Sequence, residues 1–390
     1  RFYTYNPTAN NYAVVASPST TDFEIGKGYL IRMPNNHPAT PLAWTGSFSG
    51  APNNGPYSVP VTIGTYNAIG NPYPSAIDAD AFINDNGIVE ALYFWRKTNN
   101  AATSSYATYT TAGGVSNSAG DPLGLTPNGM IQVGQGFIAK ATSTSFDFEN
   151  SMRVGDNGNQ FFRLIQEDKN RIWLNLTSAS GYFGQTLVAY MDRATLGIDA
   201  AIDGRYINDY ATALTSLIDS EEFAIQGRPL PFETSDRVAL GFKSTEAGSF
   251  TININQVDGL FETENQVIYL HDHLTNTIHN LSDGAYNFAS EVGVFNSRFE
   301  LVFEDLLSTT QNDFTLNSVV VYKQNHECIV NTGSVVMRAV AVYDIQGRLL
   351  VEKDQVNATE VRFALPAGNE MLLVKIISEG NETVTKKIMN

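Results

Sequence analysis

A chain of 390 residues exceeds what one core of ordinary size organises, so two or three domains of about 100–200 residues are expected. With 43% hydrophobic and 16% charged residues it can bury real cores, yet no apolar run approaches the roughly 20 residues that cross a bilayer as a helix. The net charge of −16 sits almost wholly before residue 311, with 16 Lys/Arg against 31 Asp/Glu there and 8 against 9 afterwards, and such an acidic surface argues against nucleic-acid binding.

The chain opens on Arg1-Phe2-Tyr3-Thr4-Tyr5, already inside a strand pattern and without a leader-like apolar stretch, so it reads as the C-terminal part of a longer protein. A single cysteine, Cys328, excludes an intrachain disulfide and a Cys-rich zinc site. Short runs rich in Val, Ile, Thr, Tyr and Phe, bounded by Gly, Asn, Pro and Asp, predict strands throughout, among them 92–95, 171–176, 238–242, 250–254, 266–270 and 299–303. Helical periodicity is confined to 76–83 and 210–218. The fold class is all-β, with tandem β-sandwich domains favoured over closed barrels.

An internal repeat organises residues 1–160. Tyr3-Thr4-Tyr5, Tyr12 and Gly26-Lys27-Gly28-Tyr29 recur as Tyr93-Phe94-Trp95, Tyr106 and Gly134-Gln135-Gly136-Phe137, which predicts one β unit used twice. Between the copies, Ile69-Gly70-Asn71-Pro72-Tyr73-Pro74-Ser75 reads as a rigid crossover, with Ser75 placed to cap the short helix that follows. A second, jelly-roll-like β-sandwich is expected over 161–304 and a polar linker over 305–317. The remaining stretch, 318–390, carries strand signals at 318–323, 328–331, 335–343, 349–353, 360–365, 371–377 and 383–389. Seven short strands with period-2 alternation predict a small immunoglobulin-like β-sandwich.

Three segments of this last domain resemble the C-terminal sorting domains of type IX secretion cargo, particularly the type C variety. They are Val340-Ala341-Val342-Tyr343-Asp344-Ile345-Gln346-Gly347-Arg348-Leu349-Leu350, Met371-Leu372-Leu373-Val374-Lys375-Ile376, and the terminal Val384-Thr385-Lys386-Lys387-Ile388-Met389-Asn390. The resemblance implies a non-enzymatic secreted or cell-surface protein whose last domain is the export signal. It further implies recognition at the outer membrane by the translocon barrel and a PorV-type shuttle protein. Gly347 and Arg348 at the turn, with Lys386 and Lys387 on the final strand, are the candidate contacts. Arg348 would equally pin its own hairpin, and the two lysines would equally protect an exposed strand edge.

Other chemistry is open to weighing. Trp95, Tyr93 and Tyr106 would form a sugar-binding platform in a carbohydrate-binding or adhesive module recognising surface polysaccharide, although such aromatics also serve as hairpin pairs. Asp199, Asp203 and Asp209, and separately Asp78, Asp80 and Asp85, are spaced for structural calcium or for ordinary loops and caps, and neither set follows EF-hand spacing. His271 and His273 would share one face of a strand with zinc- or copper-binding spacing, with His279 nearby, but a polar edge is the favoured reading. A secreted hydrolase remains the third alternative, since paired carboxylates leave no sequence signature.

Overall fold

Period-2 patterns become paired strands in nearly every segment of the computed structural model, which describes residues 1–32, 50–96, 105–116, 126–155, 169–207, 212–304, 314–316, 318–324, 327–365 and 370–389. The chain is nearly all β and forms tandem β-sandwich domains. It divides into two compact units that are discontinuous in sequence, which a division at residue 160 does not anticipate. One comprises Arg1–Arg171, Gln185–Asn208 and Glu222–Pro231, the other Ile172–Gly184, Asp209–Glu221 and Phe232–Asn390.

The repeat is visible in the strand register of the first unit. Phe2–Asn6 pairs with Asn11–Val14 so that Tyr5 faces Tyr12, and Leu92–Arg96 pairs with Ser105–Thr110 so that Trp95 faces Tyr106. On the other edge Tyr3 faces Leu30 and Tyr93 faces Ile138, again at equivalent positions. Both aromatic pairs meet edge-to-face, with ring centroids 5.2 Å apart for Tyr5–Tyr12 and 5.0 Å for Trp95–Tyr106, the cross-strand geometry that stabilises hairpins. The strand Tyr66–Gly70 receives both copies. One edge pairs with Gly136–Lys140, and the other takes the first Gly-x-Gly bend, where Gly28 N donates to Ala68 O at 2.9 Å. Only glycine fits that approach, because a Cβ on Gly28 would lie 2.7 Å from backbone atoms of Ala68 and Ile69.

The crossover is rigid for a reason its prolines only partly supply. The Asn71 side chain is buried and donates to the carbonyls of Ser75, Ile131 and Gln132 while accepting from Tyr73 N. Ser75 does not cap the helix, because the chain first pairs Ile77–Asp78 with Met130–Ile131. The helix begins only at Ala79, running to Asp85, and Asp78 accepts from Asp80 N and Ala81 N, while Ser75 instead accepts from Arg153 Nε. Phe82 then inserts among Phe137, Phe146 and Phe148 in the core of the first unit.

In the second unit, Arg237–Ser244 pairs with Ala213–Ile218 and Gly293–Val302, and the last of these pairs with Tyr269–Asp272. Residues 213–218, read as helical from the sequence, are therefore a strand; residues 210 and 211 lie outside the described residues. Burial on five of its six positions explains the misreading, since a strand covered on both faces loses its alternation. Phe242, Phe250, Phe288, Phe295 and Phe299 fill the space beneath.

Residues 318–389 form the expected seven-stranded sandwich. One sheet holds Val320–Gln324, Glu327–Asn331 and Glu360–Ala364, and the other Leu349–Ala358, Met337–Asp344, Met371–Ser378 and Thr383–Met389. Val321, Val330, Val340, Val342, Leu372, Val374, Ile376, Val384 and Ile388 meet between the sheets. The opposite face of the first strand is also covered. Val320, Tyr322 and Ile329 pack against Ala289, Ala247 and Leu274 of the preceding sandwich. Residues 305–313 and 317, most of the expected linker, lie outside the described residues.

Candidate functional site

The turn that follows Met337–Asp344 is built around one buried carboxylate. Asp344, 1% exposed, accepts through Oδ1 from the N–H groups of Gln346 and Arg348, both at 2.9 Å, and through Oδ2 from Arg348 Nε at 2.6 Å. Gly347 sits at φ +81°, in the left-handed region that closes the turn, and donates its N–H to Asp344 O. The Arg348 backbone N–H, with the guanidinium and Gln346 N–H adding to it, holds the Asp344 carboxyl below the usual carboxylate range. The Arg348 side chain nevertheless remains 72% exposed. Arg348 thus pins its own hairpin through Nε and also presents a fixed cation to the surface.

The two lysines of the last strand point in different directions. Lys386 shares the inward face with Val384 and Ile388, is 20% exposed, and turns its ammonium to within 3.5 Å of Glu291 Oε1. Glu291 also accepts from Val321 N. Lys387 faces outward and is exposed. Gly347, Arg348 and Lys387 are therefore surface features, whereas Lys386 is engaged within the chain. Among the described residues, Thr383–Met389 lies at the sheet edge and pairs on one side, with Met371–Ser378.

The aromatic trio does not form a platform. Trp95 is 41% exposed and Tyr106 half-buried, but Tyr93 is fully buried, its hydroxyl donating to Arg205 O, so it offers no ring face to a sugar. Tyr93 and Trp95 share a strand face, but Ile138, Tyr5, Tyr12 and Tyr66 pack around Tyr93, whereas Trp95 sits next to the strand end and reaches solvent. Beneath them lies a charge that sequence reading missed. Glu90, 7% exposed at its side chain, pairs with Lys140 at 2.8 Å and Arg205 at 3.6 Å and accepts from Tyr66 OH.

The described acidic residues of these sets are engaged by donors of the chain itself. Asp199 accepts from Thr195 N and Oγ1, and Asp203 accepts from Asp199 N and Gly227 N, so these carboxylates brace their loop and tie it to the strand Glu221–Arg228. Burial pushes the Asp203 carboxyl up to about 6. Asp209 lies outside the described residues. Asp78 is the helix cap, and Asp80 accepts from Tyr109 OH.

The histidines behave differently. His271 and His273 lie with ring centroids 3.9 Å apart and planes tilted by 45°, and Glu300, facing His271 across the strand pair, completes a group whose potential ligand atoms all lie within 4.8 Å of one another. Desolvation, reinforced by His273, lowers the His271 pKa and favours its neutral form. His279 is elsewhere, its Nε2 against Gly284 O. Glu300 carries no sequence signal linking it to the histidines, since only strand pairing makes them neighbours.

Two sequence families match the chain. That described as Domain of unknown function (DUF8693) covers residues 1–303, and that described as Domain of unknown function (DUF8694) covers residues 307–390. The chain belongs to the DUF8693 family. No curated protein matches this DUF8693 chain. Among solved structures, it is similar to a "Biofilm associated protein - BSP domain" at 11% identity, covering 86% of this chain and 66% of that one, with a TM-score of 0.17. A "Central Fibronectin-III array of RIM-binding protein" matches at 9% identity over 88% and 99%, with a TM-score of 0.16. Scores this low carry no argument about function. Among the described residues, no helix is long and apolar enough to cross a membrane.

Proposed function

We propose that this chain is a non-enzymatic, secreted cell-surface β protein whose C-terminal sandwich is the export signal recognised by a type IX machine at the outer membrane. The observation that carries the reading is the Asp344–Arg348 turn. It occupies the segment resembling the sorting domains, and it holds an exposed guanidinium in a geometry set by a buried carboxylate. A receptor that reads a folded surface needs such fixed donors, and Arg348 offers a planar fork suited to carboxylates and carbonyls. The edge strand Thr383–Met389 supplies a second kind of contact, open backbone groups to which a translocon or PorV-type shuttle adds a strand. The passenger reading as an adhesive module rests on Trp95, exposed and backed edge-on by Tyr106.

The test uses the chain with an upstream leader and reporter in a bacterium that has a type IX system. It is compared with the same chain ending at residue 304 and with Arg348→Ala. Surface delivery of the full chain, periplasmic retention of the shortened one and reduced delivery of folded Arg348→Ala support the reading. A folded full chain held in the periplasm as completely as the shortened one overturns it.

A further inference from the structure

We propose that His271, His273 and Glu300 form a binding site for a borderline divalent transition metal, zinc first. The argument begins with strand geometry. His271 lies on the strand Tyr269–Asp272 and His273 directly follows its end, still tied to the neighbouring strand by its N–H donating to Arg298 O, so the two rings lie side by side, 3.9 Å between centroids, while Asp272 turns inward. The antiparallel partner Gly293–Val302 places Glu300 directly opposite His271, and cross-strand partners share a face. Two imidazoles and one carboxylate therefore converge without any loop rearrangement.

The distances suit a metal. Zinc takes ligand atoms at about 2.0–2.2 Å, which sets tetrahedral ligands about 3.3 Å from one another. The three groups already place their donor atoms within 4.8 Å, and His273 Nε2 lies 3.7 Å from Glu300 Oε2, so small side-chain rotations bring them onto one ion. His271 supplies an independent pointer. Its Nε2 is buried with no hydrogen-bond partner among the described residues, while Asn276 hydrogen-bonds to the same ring. Buried polar atoms are nearly always satisfied, and an orphaned imidazole nitrogen oriented by an outer partner is the arrangement a ligating histidine adopts.

The backbone between the histidines is also fixed. Asp272 is fully buried and accepts from Arg298 Nε and Nη2, Tyr286 OH and Leu274 N, which locks the strand exit from which His271 and His273 project. Rigid support of this kind keeps donors in place before the ion arrives. The donor set carries one negative charge from Glu300, favours zinc or copper over calcium or magnesium, and leaves a fourth position for water. His273 additionally borders an open cleft of about 470 Å³ shared with Arg298, Glu291 and Lys386.

The experiment uses the full chain, stripped with a chelator and titrated with zinc by calorimetry, with cobalt substituted in parallel for its visible spectrum. One equivalent of zinc, intense tetrahedral-type cobalt bands and a zinc-dependent rise in melting temperature are expected. His273→Ala, at a half-exposed position that tolerates the change, should weaken binding by more than about 100-fold, since loss of a direct ligand exceeds the about 10–100-fold effect of an outer partner. Glu300→Gln should do the same, and His279→Ala should leave binding unchanged. Absence of stoichiometric binding by the folded chain, or equal affinity in folded His273→Ala, overturns the proposal.

Discussion

Replacing Arg298 by methionine removes the partner of the most deeply buried carboxylate in the second unit. Asp272 is 0% and Arg298 3% exposed at the side chain, and their shortest contact is 2.9 Å. The guanidinium also lies 4.7 Å from the centroids of both Phe288 and Phe299. Methionine keeps much of the stem volume but leaves the Asp272 charge with only Tyr286 OH and Leu274 N as donors. Breaking a buried pair by removing one partner costs about 3–5 kcal/mol, and the two ring contacts place Arg298→Met toward the upper end of that range. In equilibrium urea unfolding this lowers the midpoint of the unit by about 1–2.5 M, for a slope of about 2–3 kcal/mol/M. The double variant Asp272→Asn/Arg298→Met removes both charges while retaining an acceptor for Tyr286 and Leu274. It should therefore lose less than Arg298→Met alone, because the penalty arises from the unpaired charge rather than from the missing attraction. A loss below about 1 kcal/mol in Arg298→Met, or a double variant weaker than the single, would refute this reasoning.

Gly28→Ala should destabilise the first unit by about 2–3 kcal/mol in thermal or urea unfolding, because its Cβ meets immovable backbone at 2.7 Å, whereas Gly136→Ala, with its nearest neighbour at 3.4 Å, should cost less than half as much. Asp203 titrates at about 6 in the fold against 3.8 unfolded, so between those values the folded state holds a proton that the unfolded state has released. Its contribution to stability is therefore largest below the unfolded value and falls by roughly 3 kcal/mol as pH rises through the folded one, a decline that urea unfolding should find in the native chain and not in Asp203→Asn. Burial pushes the Cys328 thiol up to about 12, so a thiol reagent at mildly alkaline pH should label it only as the C-terminal sandwich opens, at a rate that rises with urea; rapid labelling of the native chain would contradict the burial.

Local pattern was enough for the C-terminal sandwich and for the repeat. Six of its seven strands fall within two residues of the positions their alternation indicates, and the fourth continues to Ala358 because positive φ at Gln355 and Asn357 lets the hairpin bulge and go on pairing. The aromatic spacing marks the repeated unit, and in each copy an aromatic pair, Tyr5 with Tyr12 and Trp95 with Tyr106, meets across a local hairpin. What the sequence by itself could not determine was which face of each strand is covered. Period 2 says that two faces differ, but burial depends on what packs there. Hence Tyr93 is buried while Trp95, on the same face but next to the strand end, emerges, Lys386 turns inward to Glu291, and Val320 and Tyr322 are covered by residues from the preceding sandwich. The same limit applies to chemistry. His271 and His273 were visible as a pair, but Glu300 joins them only because Tyr269–Asp272 and Gly293–Val302 are hydrogen-bonded neighbours, a long-range pairing that no local spacing encodes.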